Sequence, residues 1–140
     1  MLFIPDPALR KLAGRVVKAY PEHFDHIDLD RVEFCMEVNG KPSGANAICQ
    51  KISVLVGDVI ASRSKPLDFI IAFFSEAVEG KSDEWLTILM FHELLHIDPT
   101  GALVEHDIED FMSVLDMVGH HWQNDKNLPD IIRKKIRLAG

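Results

Sequence analysis

Five consecutive residues, His92-Glu93-Leu94-Leu95-His96, carry the side chains best suited to chemistry. On a helix, residues four apart lie on one face, about 6 Å between Cβ atoms. Two imidazoles so placed can converge on one divalent metal, with Zn–N bonds of about 2.0–2.1 Å. Glu93, one step round the helix, lies near such a metal without ligating it and can take a proton from an activated water. The chemistry this implies is metal-assisted hydrolysis. With seven His and nine Glu in 140 residues, random order gives about 0.02 matches to HExxH, so the pattern is informative. The residues WLTILMF before the motif and LL within it make a helix that is apolar on nearly every side and therefore buried. Three ionisable groups in a buried helix need partners, and a metal supplies one. The plain alternative is two surface histidines near a helix end, satisfied by water.

A catalytic zinc usually takes three protein ligands and leaves the fourth position open. A Gly three residues after His96 and a His six after would complete one familiar pattern, but Pro99 and Ala102 stand there. The remaining candidates are His106, Asp107, Glu109, Asp110, Asp116, His120 and His121. His106 is favoured, because Pro99 and Gly101 can turn the chain back and His106 stands at the expected start of the next helix. His106 and His120 would lie about 21 Å apart along one helix, too far to share an ion. Asp110, one turn beyond His106, can accept its second ring N–H. Asp107 can cap that helix or orient a motif histidine. Solvent-facing charge in a first turn is the plain reading of both. His120-His121-Trp122 reads as a helix-end surface feature, and His23 and His26, spaced H-x-x-H, lie where no helix signal is present.

The elements that must position these groups follow from periodicity. Residues 7–19 read as a helix opened by Pro7, with Leu9, Leu12, Val16 and Val17 as its stripe. Residues 31–38 alternate as a half-buried strand, Val32, Phe34, Met36 and Val38 one way and Glu33, Cys35 and Glu37 the other. Asn39-Gly40 marks a turn. Residues 45–52 pair back as a second strand or begin a helix. Residues 67–74, β-branched and aromatic, read as a strand. Ser82 caps the motif helix, expected over 83–97 and stopped by Asp98-Pro99-Thr100-Gly101. A further amphipathic helix is expected over 106–119, with Ile108, Phe111, Met112 and Leu115 buried and Gly119 at its end. Asn127 and Pro129 look like the start of a last basic helix.

Composition bounds the rest. A chain of 140 residues with 47% hydrophobic and 26% charged residues is an ordinary globular composition, expected to form one domain over 1–140. The longest apolar run, residues 69–74, is far short of a membrane span, so no membrane partner is expected. No secretion signal is read, which leaves cytoplasmic residence as the default. Cys35 and Cys49 are expected as reduced, buried thiols. The net charge is −7, yet residues 126–140 hold five Lys/Arg against one Asp. The remaining body is strongly acidic and repels phosphate backbones, which argues against nucleic acid as a partner.

FHELLHI, a short loop, then HDIEDF and VLDMVGHHW resemble the phage-type metallopeptidase family, small zincin-like proteins with HELxH followed by HDxxxF. The resemblance is closest over residues 84–122 and looser over 31–75. It implies a minimal zincin-like α+β fold, with a small antiparallel sheet packed on a buried HExxH helix and a second helix carrying the third ligand. It also implies a zinc-dependent peptidase acting on a protein or peptide substrate, with His92, His96 and His106 as Zn²⁺ ligands and Glu93 as general base. In zincins an edge strand beside the active-site helix pairs with extended substrate, and residues 67–74 are expected in that role. WLM-domain and SprT-like proteases show a looser similarity, and the WLM form has a shorter loop before its third His. Two other functions fit a three-histidine site: a non-catalytic metal-binding structural or interaction module, and a hydrolase acting on RNA. Glu93, which a structural site does not need, and the acidic body favour the peptidase. Tyr20, the only tyrosine, is not placed by any sequence signal to stabilise an oxyanion.

Overall fold

A computed structural model describes residues 2–40, 44–56, 66–105, 111–119 and 121–133. The chain is α+β. Strand β1 (Leu2–Pro5) leads into helix α1 (Pro7–Ala19) and a short α2 (Pro21–Phe24). Strands β2 (Val32–Val38), β3 (Ala47–Lys51) and β4 (Phe69–Phe74) follow, then α3 (Ser75–Val78), α4 (Asp83–Leu94) and α5 (Met112–Val118).

Helix α1 forms as its sequence dictates. Pro7 occupies the first turn and the Asp6 carboxylate accepts from the Ala8 and Leu9 N–H groups, 2.9 and 3.3 Å. Leu9, Ala13 and Val16 are buried, and Leu12 and Val17 pack at the margin. Helix α4 starts where Ser82 accepts from the Trp85 N–H at 3.1 Å, with Asp83 and Glu84 in its positive first turn. From Thr87 to Leu94 every residue is buried. Helix α4 packs against α1 and β3, and is the centre of the fold.

The sheet is mixed, in the order β1-β2-β4-β3. Strand β1 is antiparallel to β2, β2 is parallel to β4, and β3 is antiparallel to β4. The expectation of a small antiparallel sheet is corrected by the parallel β2–β4 pair, and residues 45–52, expected as a returning strand or a helix start, contain strand β3. Asn39 does turn the chain, at φ 62°. The long connection after it, however, lets the chain cross over before β4 settles parallel to β2. Strand β3 pairs with β4 instead, Ala47 opposite Phe73 and Lys51 opposite Phe69. The expectation that 67–74 forms the edge is therefore corrected: β4 is an interior strand and β3 is an edge. The physical reason is legible in β4, whose unbroken apolar run suits a strand covered on both faces.

Strand β2 departs from simple alternation. Val32 and Phe34 are buried as expected, but Cys35 and Glu37 on the opposite face are buried too. Both Glu37 carboxylate oxygens are out of contact with water and accept no hydrogen bond among the described residues. The expected helix over 106–119 is also shortened. Phe111 is extended (φ −81°, ψ 138°), α5 begins at Met112, and Met112 is exposed while Val114, Leu115 and Met117 are buried. Ile108 lies outside the described residues. In the C-terminal stretch the Asp130 carboxylate accepts from the Ile132 and Arg133 N–H groups, and the expected last basic helix lies largely outside the described residues. No helix among the described residues is long and apolar enough to cross a membrane.

Two contacts generate measurable expectations. The fully buried Tyr20 hydroxyl donates to the Ile131 carbonyl at 2.7 Å, tying α1 to the C-terminal stretch. Tyr20→Phe should lower unfolding stability by about 1–3 kcal/mol, because it strands a buried acceptor. Glu37→Met should act in the opposite direction, raising the urea midpoint by the equivalent of about 1–3 kcal/mol, since it removes an uncompensated buried polar group. Equilibrium urea unfolding of the two variants checks both signs.

Candidate metal centre

Helix α4 delivers His92 and Glu93 in its last turn, and the chain then tightens. The Leu95 N–H reaches both the Phe91 and His92 carbonyls at 3.2 Å, and the His96 N–H reaches the Glu93 carbonyl at 3.2 Å. His96 thus stands in the turn that closes the helix, which is shorter than the expected 83–97. Its ring still lies beside that of His92, with centroids 5.4 Å apart. One donor atom from each of His92, Glu93 and His96 falls within 4.8 Å of the others. Glu93 lies between the imidazoles, with carboxylate oxygens 3.9 Å from His92 Nε2 and 3.8 Å from His96 Nε2. His92 and Glu93 are only 7% and 3% exposed.

Neighbouring elements hold these groups in place. Phe91, immediately before His92, is clamped by the corner of α1 and α2, with ring centroids 5.1 Å from Tyr20 and 5.0 Å from Phe24. Past His96, a hairpin-like turn runs through Gly101 (φ 83°) and returns as a bridge between Ile97 and Leu103. Val104 then meets His96 twice. Its N–H donates to the His96 carbonyl at 2.7 Å, and its own carbonyl accepts from His96 Nδ1 at 2.7 Å. A carbonyl can only accept, so Nδ1 carries the proton and Nε2 presents its lone pair on the Glu93 side. Phe111 packs edge-on against both rings, 5.3 Å from His92 and 4.9 Å from His96.

The His–Glu–His group opens into a cleft of about 350 Å³. Residues 44–49, leading into and along β3, form one wall, and Trp122 and Gln123 contribute to the other. Trp122 is therefore no surface feature: it is 1% exposed and packs on Trp85 with centroids 5.6 Å apart. Cys49 also lines the cleft. Burial first, and the Glu93 charge second, push its thiol far above the usual range, so it stays neutral. Cys35, buried, and Cys49, partly buried, are not joined in a disulfide.

The other sequence candidates divide clearly. His106, Asp107, Glu109, Asp110 and His120 lie outside the described residues. The helix that was expected to begin at His106 begins at Met112, so the argument that separated His106 from His120 by helix length no longer applies. Asp116 and His121 are exposed. His26 is a structural hydrogen-bonding group, with Nε2 2.8 Å from the Ile97 carbonyl, and His23 packs its ring 5.9 Å from Phe91. Tyr20, with its hydroxyl bonded to Ile131, is a core residue. Sequence reasoning missed the Val104 carbonyl, which has no side-chain signature, and the wall around Trp122, for which the presence of two tryptophans was the available signal.

The donor set suits a divalent metal: two imidazoles with one tautomer fixed, and a carboxylate within 4 Å of both. No curated protein and no solved structure shows a significant match to the chain. A family model described as "Putative phage metallopeptidase" matches residues 1–134. That match spans nearly the whole sequence, and its metallopeptidase description agrees with a buried His–Glu–His group at the floor of a cleft, so the chain belongs to this family.

Proposed function

We propose that the chain is a zinc-dependent peptidase that hydrolyses peptide bonds, with Glu93 as general base and His92, His96 and His106 as zinc ligands. The observation that carries this reading is the position of Glu93, buried between two imidazoles and within 3.9 Å of both. A purely structural zinc site has no need of a carboxylate there. The three-imidazole set suits zinc, and zinc is the ion commonly held by HExxH helices. When bound, it supplies Lewis acidity toward the scissile carbonyl and acidifies a water. Glu93 takes the proton of the attacking water on a carboxylate oxygen and returns it to the leaving amine nitrogen.

The third ligand rests on chain geometry at either side of the segment 106–110. Val104 is hydrogen bonded to His96, and Phe111 packs on both motif rings. The described residues Val104 and Phe111, on either side of 106–110, both contact the motif histidines, which supports a third ligand from that segment. Asp110 in this reading accepts the second ring N–H of His106, and Asp107 orients a motif histidine. The substrate is an extended protein or peptide chain. Strand β3 is one of the two edge strands of the sheet and lines the cleft, so the side that no described strand pairs with can take an added strand. The acidic body, net −7 for the whole chain, favours such a substrate over nucleic acid.

Glu93→Gln should keep zinc content and melting temperature near wild type while hydrolysis of an unstructured protein falls by roughly 10²–10⁴-fold. A Glu93→Gln protein as active as wild type at equal zinc occupancy would sink the peptidase mechanism and leave a binding module.

Metal analysis tests the ligand set separately. One zinc per chain is expected, lost in His92→Ala, His96→Ala and His106→Ala. Retention of full zinc by His106→Ala, with loss in Asp110→Ala or His120→Ala, would reassign the third ligand. Chelation should lower the melting temperature without unfolding the chain, because 140 residues with one extensive hydrophobic core bury enough surface to fold without metal.

A further inference from the structure

The cleft is crossed by a hydrogen bond between two side-chain amides. Asn46 Nδ2 donates to Gln123 Oε1 at 3.1 Å, and both residues line the same cleft as His92, Glu93 and His96. Each amide is carried by a main chain fixed from behind. The Asn46 carbonyl accepts from the Phe74 N–H at 3.0 Å, which extends the β3–β4 ladder by one step. The Gln123 carbonyl accepts from Trp85 Nε1 at 3.1 Å, anchoring its turn to the first part of α4. The two side chains therefore meet at the exposed lining of the cleft, each on a hydrogen-bonded main chain.

The pair does not use its full bonding capacity. Among the described residues, nothing bonds the Asn46 Oδ1 acceptor or the Gln123 Nε2 donor. One acceptor and one donor, side by side, match the N–H and C=O of an extended peptide main chain. Apart from the His–Glu–His group, every described side chain lining the cleft is uncharged. Asn46 and Gln123 thus offer hydrogen bonds suited to a peptide main chain.

We propose that Asn46 and Gln123 are the substrate-positioning residues of this cleft. Their mutual bond closes it when empty. When a peptide lies along β3, the two amides part, Asn46 Oδ1 accepts from a peptide N–H and Gln123 Nε2 donates to a peptide carbonyl. The exchange is one neutral hydrogen bond broken for two formed, so a surface bridge of this kind opens readily. This reading rests on the peptidase assignment and adds what holds the substrate: hydrogen bonds from the two amides to an extended main chain.

The test uses the zinc-loaded full chain and internally quenched peptides with uncharged residues around the cleaved bond. Asn46→Ala and Gln123→Ala should each raise KM about fivefold to tenfold, with kcat within about twofold of wild type, as expected for one lost hydrogen bond made equally in ground and transition states. Gln123→Glu keeps an acceptor for Asn46 and so preserves the bridge, but it lacks the donor; its KM should rise as in Gln123→Ala. Single N-methylation along the peptide should reveal one position that weakens wild type and does not further weaken Asn46→Ala. The same peptides binding to zinc-loaded Glu93→Gln, with and without the amide substitutions, give an equilibrium readout that needs no turnover. Unchanged or lowered KM in the alanine variants would make the bridge a latch or an ornament of the fold and overturn the proposal. Peptide binding weakened by the amide substitutions, in a wild-type protein that cleaves nothing, would sustain the proposal while removing the peptidase assignment. Absence of any peptide binding would overturn both.

Discussion

A helix buried from Thr87 to Leu94 has no solvent side on which to leave a charged group, yet α4 ends in His92 and Glu93. This constraint organises the rest of the molecule. An ionisable side chain in such surroundings is tolerated only where partners meet it. The fold brings them from two directions: the Phe111 ring packs on His92, and the His96 ring, itself fixed by the Val104 carbonyl, stands beside both His92 and Glu93. The helix cannot slide or rotate to escape the cost, because Phe91 is held between Tyr20 and Phe24 one residue earlier. Packing on one side of α4 thus sets the geometry of polar groups on the other.

The residues from Ile97 to Leu103 form a closed unit, with Asp98 N–H on the Ala102 carbonyl at 3.0 Å and Gly101 N–H on the Asp98 carbonyl at 2.9 Å. Asp98 is held below the usual carboxylate range, first by the Thr100 hydroxyl and then by the Thr100 N–H. His26 donates to the Ile97 carbonyl from the α2 side. Because the unit is internally bonded and pinned from outside, Val104 arrives at His96 in one orientation, and the imidazole tautomer follows from it.

Much of this was legible in the sequence wherever the controlling interaction is local. Helices α1 and α4 announce themselves by cap, stripe and stop signal, and HExxH locates the polar end of α4 without reference to the fold. Strand order was not legible, because a β4 inserted between β2 and β3 depends on partners far along the chain. The same holds for β1, four residues that are all exposed and show no periodicity. Glu37 misled by its alternation: a polar residue on a polar face is normally solvated, and here that face is covered. Phe111 was assigned to a helix stripe, since its apolar spacing is the same whether the ring faces a core or two imidazoles. The cleft walls join residues 44–49 to Trp122 and Gln123, and no short-range pattern connects them.

The Tyr20–Ile131 bond spans 111 residues and the Trp85–Gln123 bond 38. A chain emerging from synthesis exposes its early elements first. Helix α1 is complete, and α4 with its reactive end already formed in sequence, while the wall made by Trp122 and Gln123 is still missing. Until the chain has passed Ile131, the aromatic corner that clamps Phe91 lacks the acceptor for its own hydroxyl. The His–Glu–His group and the cleft that confines it are therefore finished at different times, and the second waits for Trp122 and Gln123. Contacts of this separation slow folding relative to local ones. They also mean that the site's order is a property of the closed chain rather than of the motif helix: a growing chain carries the ligand pair well before it carries the enclosure.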